Sequence, residues 1–149
     1  MRSTTEFLTN IRRIMRLHDS MLRPICGRYE LNMIEVTIIS FLYNIPGKDT
    51  AGDIAELRVL SKSNVSQAVE SLIQKSLLQR RQDKEDRRRI HLSLTSEANP
   101  ITQEIEAVRE SFRKQIFRGF TEEEQRQFVR FNDRIAANAK TDAERGDDL

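Results

Sequence analysis

The sequence predicts a mainly α-helical chain that carries one small β-hairpin. Three observations predict it. Apolar residues recur at steps of three and four over most of the length, which is the signature of amphipathic helices. After Leu77 that period drops to two and then reverts, as expected of a strand pair inserted among helices. Five glycines and three prolines leave long runs without a breaker, which favours helix.

The first helix is expected from Phe7 to Ile25, with Leu8, Ile11, Ile14, Met15, Leu17, Met21 and Leu22 along one face. Pro24 falls late in this run, so a kink or an end is expected there, and Gly27 allows a break. Asn32 followed by Glu35 reads as a capping box for a second helix. Its body, MIEVTIISFLYN, is apolar nearly all round, the pattern of a central, buried helix. Pro46-Gly47 stops it. A short helix follows, capped by Thr50 and carrying Ile54, Ala55 and Leu57. Arg58-Val59-Leu60 is a tight connection, and Ser61 caps a helix running from about Lys62 to Lys75. Val65, Ala68, Val69, Leu72 and Ile73 face inward on it; Lys62, Ser63, Asn64, Ser66, Gln67, Glu70 and Gln74 face outward.

Ile90, Leu92 and Leu94 then alternate with Arg89, His91 and Ser93, a half-buried strand whose partner is Leu78 to Gln82. The segment DKEDRR between them is a polar hairpin tip. Thr95 or Asn99 starts a long helix, with Pro100 suited to its first position if Asn99 is the cap. Ile101, Ile105, Val108, Phe112 and Ile116 form its stripe, and Gly119 ends it. Thr121 and Glu124 make another capping box, opening a last helix with Phe128, Phe131 and Ile135 inward. The tail TDAERGDDL is polar and expected to fray.

The 149 residues amount to one domain, long enough to bury a core without staples. The expected organisation is a single unit, with a central region at 32–95, flanking helices at 1–30 and 97–140, and the polar tail at 141–149. The single cysteine, Cys26, cannot form an intrachain disulfide, and the sequence has no long apolar span and no export signal. A cytoplasmic protein without membrane contact is therefore expected. No cofactor is expected, since no glycine-rich phosphate loop appears. A metal site is unsupported: His18 and His91 are far apart, and one cysteine cannot complete a soft site. No Ser-His-Asp order or paired-histidine motif points to catalysis.

A short helix, a tight turn and an amphipathic helix with a polar outer face make a helix-turn-helix, whose second helix enters the DNA major groove. Its leading end here offers Ser61, Lys62, Ser63, Asn64, Ser66 and Gln67. Asparagine and glutamine pair with adenine edges, while serine and lysine serve bases or phosphates. The alternative is a plain solvated helix face. The hairpin, a wing beside that helix, sharpens the choice. From Lys62 to His91 there are eight basic and four acidic side chains, a net +4 against +2 for the whole chain. Phosphate contact needs such focusing. Lys84, Asp86, Arg87, Arg88 and Arg89 are the candidate wing residues, since an arginine at a hairpin tip suits a narrow minor groove. The alternative is a solubilising loop with internal Asp–Arg pairs.

The run LSKSNVSQAVESLIQKSLLQRRQDKEDRRRIHLSLT, Leu60 to Thr95, resembles the core of the MarR (multiple antibiotic resistance regulator) family. Asp86-x-Arg88 followed by a strand ending Leu94-Thr95 carries the resemblance, with the six-helix order and Arg23-Pro24 in support. The resemblance implies a winged helix-turn-helix homodimer that binds double-stranded DNA, by default as a repressor. Its first and last two helices would form the dimerisation region. Arg88 would be the minor-groove arginine, and Asp86 would orient it. It also implies response to a small-molecule effector bound between the dimerisation and DNA-binding regions. Three positions depart from the family pattern: Ser76 and Val59, where glycine is common, and Ala98-Asn99-Pro100 after the strand. A left-handed non-glycine residue costs roughly 1 kcal/mol.

Phe112, Ile116, Phe117, Phe120, Phe128 and Phe131 exceed what a small winged helix covers and call for a partner surface, a second copy of the chain, the alternative being that these stripes pack on each other within the chain. A twofold dimer would set two reading helices roughly 34–36 Å apart, hence a palindrome of about 16–20 base pairs. For the effector, His18 and Met21 on the first helix and Phe41 and Tyr43 on the second are candidates, the alternative being ordinary core residues. Cys26 is a candidate redox switch if Arg23 and Arg28 lower its pKa; the alternative is an inert thiol. The competing function is a winged-helix protein-interaction module, which the acidic residues of the hairpin would suit.

Overall fold

The computed structural model describes residues 3–146. Their order is α1 (Thr4–Tyr29), α2 (Met33–Asn44), α3 (Ala51–Leu57), α4 (Lys62–Gln74), β1 (Leu78–Gln82), β2 (Ile90–Leu94), α5 (Asn99–Ile116) and α6 (Glu122–Gly146). Residues up to Phe112 form one compact unit and those from Arg113 a second.

Helix α1 starts where the Ser3 side chain accepts the Glu6 N–H. It does not end at Pro24 or break at Gly27; it continues to Tyr29. Leu22 and Ile25 flank the proline and are 4% and 2% exposed. Burying each is worth ~1.5–3 kcal/mol, which offsets the ~3 kcal/mol that an interior proline costs. The helix stops at Glu30, a left-handed residue (φ 54°), where the Leu31 N–H donates to the Cys26 carbonyl at 2.9 Å. Helix α2 carries the expected capping box and is central: Val36, Ile38 and Ile39 are fully buried. The same buried cluster holds Ile54 of α3, Val65 and Leu72 of α4, Leu92 of β2, and Ile101 and Ile105 of α5. Phe41 also lies in this core.

Thr50 and Asp53 form a second capping box at α3. Val59, in the α3–α4 turn, is left-handed (φ 54°), as is Ser76 after α4 (φ 63°). These are two of the positions where glycine was missed in the sequence. Ser76 is anchored there: its carbonyl accepts the Thr95 hydroxyl at 2.6 Å. The hairpin pairs antiparallel, Leu78 opposite Leu94 and Gln82 opposite Ile90. Alternation along β2 is only partly as expected. Leu92 is buried, but Ile90 at the strand's start is exposed and His91 is half-buried. Asn99 is not a cap, because its backbone is already helical; a 3-10 turn, Ser96–Ala98, leads from the extended Thr95 into α5.

In the second unit, Gly119 (φ 82°) follows α5, and Thr121 and Glu124 cap α6 reciprocally. The Phe117 ring meets Phe120 and Phe128 edge-on. Phe128, Phe131 and Ile135, read from the sequence as inward, are 45%, 55% and 51% exposed on this chain. A single helix hairpin has too little surface to cover its own stripe. Helix α6 continues to Gly146, so much of the segment read as a frayed tail is helical, while residues 147–149 lie outside the described residues.

Candidate nucleic-acid interface

Helix α4 begins at Ser61, whose hydroxyl accepts the Asn64 N–H at 3.2 Å. That oxygen is committed to the cap, which orients the first turn. Lys62, Ser63, Asn64, Ser66 and Gln67 all face solvent, while Val65, Ala68, Val69 and Leu72 hold the opposite face in the core. The leading end of α4 is thus a polar surface on a helix whose opposite face is seated in the core.

The far end of α4 is fixed by a buried carboxylate. Glu35 is 2% exposed. It accepts the Asn32 N–H at 3.0 Å, the Ser71 hydroxyl at 2.9 Å, and the Lys75 ammonium at 3.2 and 3.0 Å. Burial disfavours its charge, but these donors together outweigh burial and hold the carboxyl below its ordinary range. Lys75 also donates to the Glu30 carbonyl at 2.7 Å, so one cluster ties the end of α1, the start of α2 and the end of α4. Sequence reading found Glu35 only as half of a capping box.

The wing tip is built by its acidic residues. Asp83 Oδ2 accepts the N–H groups of Glu85 and Asp86 at 3.0 and 2.9 Å. Asp86 Oδ1 accepts the Arg88 N–H at 3.0 Å, and the Asp86 carbonyl accepts that of Arg89. Asp86 therefore acts on the Arg88 backbone rather than on its guanidinium. Glu70 of α4 pairs with Arg80 of β1, bracing α4 against the hairpin. The solubilising-loop alternative required Asp–Arg side-chain pairs at the tip. Among the described residues, the side chains of Lys84, Arg87, Arg88 and Arg89 make no ion pair or hydrogen bond. A cleft of about 570 Å³ lies among α3, α4 and the hairpin, where Arg80, Arg88 and Arg89 share the lining with Asp53, Glu70 and Asp86.

His91 was placed on the solvent face in the sequence and lies elsewhere. Nδ1 is 2.7 Å from Asp49 Oδ1 and Nε2 is 2.7 Å from Asp83 Oδ1. Asp83 first, then Asp49, raise its pKa above the ordinary 6.5. Asp83 in turn is held far below the usual carboxylate range, first by His91 and then by the tip N–H groups.

The residues considered for an effector are spread over different settings. His18 is half-buried, its ring edge-on to Phe112 at 5.0 Å, and burial lowers its pKa against an opposing Asp19. Met21 is partly buried, Phe41 is a core residue and Tyr43 is half-exposed. Cys26 does not have the depressed pKa considered for it. Burial pushes its thiol up, Glu35 adds to that, and Arg23 opposes only weakly. Arg28 is engaged with Glu104. No group of three or more metal-ligating side chains occurs among the described residues, and among them no helix is long and apolar enough to cross a membrane.

The sequence profile of the MarR family matches residues 29–89, from the end of α1 through the wing tip. An HTH-type transcriptional regulator of Bacillus subtilis (strain 168), YsmB, is 25% identical over 115 residues, covering 77% of this chain and 78% of that protein. Among solved structures, MarR is similar at 26% identity and a TM-score of 0.66, over 93% of this chain and 99% of that one. A MarR protein from Peptoclostridium difficile DA00132 shares the fold at 18% identity, with a TM-score of 0.80 over 95% of this chain and 92% of that one.

Proposed function

Because the chain belongs to the MarR family of DNA-binding transcriptional regulators, we propose that it acts in the cytoplasm as a repressor, bound to a palindromic operator as a homodimer. In this reading the leading turns of α4 enter the major groove. Asn64 and Gln67 read base edges there, and Ser61, Lys62, Ser63 and Ser66 contact bases or phosphates. Arg88 enters the minor groove, while Lys84, Arg87 and Arg89 lie along the backbone.

The observation that carries the reading is the division of labour at the wing tip. Asp83 and Asp86 are spent on backbone N–H groups and on His91, which leaves the Lys84, Arg87 and Arg88 side chains without an ion pair or hydrogen bond among the described residues, beside the exposed polar end of α4, while Arg89 acts on Asp53. Unpaired cations on one face are what counterion release from DNA requires.

Dimerisation is supported by exposed apolar side chains. On α6 these include Phe128, Val129, Phe131 and Ile135; on α1, Leu8, Ile11, Ile14 and Met15 are 38–60% exposed. Patches of this kind mark interfaces. An effector that releases DNA would bind near His18 and Met21; the half-buried ring of His18 against Phe112 supports an aromatic ligand there. Selection of duplexes from a random pool tests the function. The expected product is a palindrome with half-sites about one helical turn apart, bound by a dimer of twice 17.4 kDa in light scattering. Recovery of no preferred sequence, or a monomer on the duplex, would refute it.

A further inference from the structure

Three parts of the chain meet at His91: the α2–α3 connection through Asp49, the wing tip through Asp83, and β2, which carries the histidine. Asp49 is held in place on its other side, its carbonyl accepting the Leu92 N–H at 2.8 Å. From Asp83 the contacts continue through the Asp86 N–H, and from Asp86 to the Arg88 N–H. A continuous path therefore runs from the body of the winged helix to the backbone of the wing arginine. The groups acting on the ring, among the described residues, are the two aspartates, which favour its charge, and Arg81, its partner across the hairpin, which opposes it.

We propose that His91 is a positioning residue for DNA binding: as an imidazolium it clamps the wing to the α2–α3 connection, and on losing its proton it lets go of one aspartate and loosens Arg88. The reason lies in counting donors. Both ring nitrogens face carboxylate oxygens, and only the imidazolium has two N–H groups to give them. A neutral ring turns a lone pair toward one carboxylate, and that contact cannot persist. The pKa of the folded protein lies above 6.5, so the clamp is complete below 6.5 and is lost as pH rises through the higher folded value. Regulator–DNA affinity then falls as pH rises through that folded value.

The proposal rests on the reading of the wing as a DNA contact, so the test has one arm without DNA. The chain has two histidines, which makes the His91 ring resonances assignable by NMR. In the free protein His91 is expected to titrate above 6.5, and the backbone of residues 83–89 to gain fast motion above that midpoint. An Asp49→Asn variant lets a neutral ring accept from the Asn amide while donating to Asp83, so its tip should stay ordered throughout. A His91 midpoint at or below 6.5, or a tip equally ordered in both states, overturns the clamp.

The second arm measures affinity for a duplex selected with the wild-type protein. Wild-type affinity is expected to fall about tenfold across the His91 midpoint, the order of one loosened arginine contact. D49N should stay tight with a flat profile, and H91Q weak with a flat profile. The same pH profile in all three overturns the positioning role. If the free-protein behaviour is as expected but no duplex binds at any pH, the DNA reading has failed, and with it the function given to His91.

Discussion

Replacing Glu35 by alanine tests how α4 is seated. The buried carboxylate takes two part-buried hydrogen bonds, from the Asn32 N–H and the Ser71 hydroxyl. Hydrogen bonds to a charged acceptor contribute ~1.5–3 kcal/mol each, with the lower end suited to an exchangeable network. Lys75 is about a third exposed and can turn to water when its partner goes, so its share is ~0–1 kcal/mol. Removing a buried charge recovers part of its desolvation cost. The balance is a loss of about 2–3 kcal/mol, a fall in Tm of about 5–10 °C for a chain of this size. E35Q keeps the volume and one acceptor oxygen and should lose about 1 kcal/mol. The sign with pH follows from the depressed carboxyl: its contribution is present above the ordinary 4.5 and is lost as pH falls through the lower folded value. Wild type and E35A should therefore converge in acid. Thermal denaturation followed by circular dichroism, repeated at neutral and acid pH, measures both. Equal stability of E35A and wild type at neutral pH, or a gap that widens in acid, would refute the reasoning.

Val59 is 90% exposed and left-handed, so V59G relieves backbone strain without losing packing. The expected gain is about 0.5–1 kcal/mol, read as a rise in Tm of a few degrees. N64A and Q67A should each weaken selected DNA by about 1–3 kcal/mol while leaving random duplex affinity unchanged, as measured by competition binding. Base-edge contacts behave this way and phosphate contacts do not. Cys26 should react with a thiol reagent more slowly than free cysteine, because burial holds it protonated. C26S should keep full DNA binding, and a peroxide response that C26S abolishes would restore the redox reading.

What could be read in the sequence was whatever has a short-range cause. The capping boxes at Asn32–Glu35 and Thr121–Glu124 need side chains three residues apart, and both formed. The inner face of α4 and the pairing of Leu78–Gln82 with the strand at Ile90 follow from periodicity, and both stand as expected. The end of α1 was misread because Pro24 and Gly27 are local breakers, whereas the packing of Ile25 that overrides them is tertiary. The same distinction runs through the interface. The exposed row from Lys62 to Gln67 was visible, and so was the cluster of basic residues at the tip. The bridge from His91 to Asp49 joins residues 42 apart, and no spacing rule exposes it. Asp83 could have been found, because an aspartate opening a tight charged turn commonly accepts the N–H groups two and three residues on. Asp86 reaches Arg88 through the backbone N–H two residues on, for the same local reason.

The most direct test of the DNA-reading face is the salt dependence of binding to a selected duplex, for wild type and R88A. The account predicts a steep linear fall of log affinity with log salt for wild type. For R88A it predicts affinity lower by about 1–3 kcal/mol and a slope shallower by about one. A flat salt response in wild type, or R88A with unchanged affinity and slope, would contradict it.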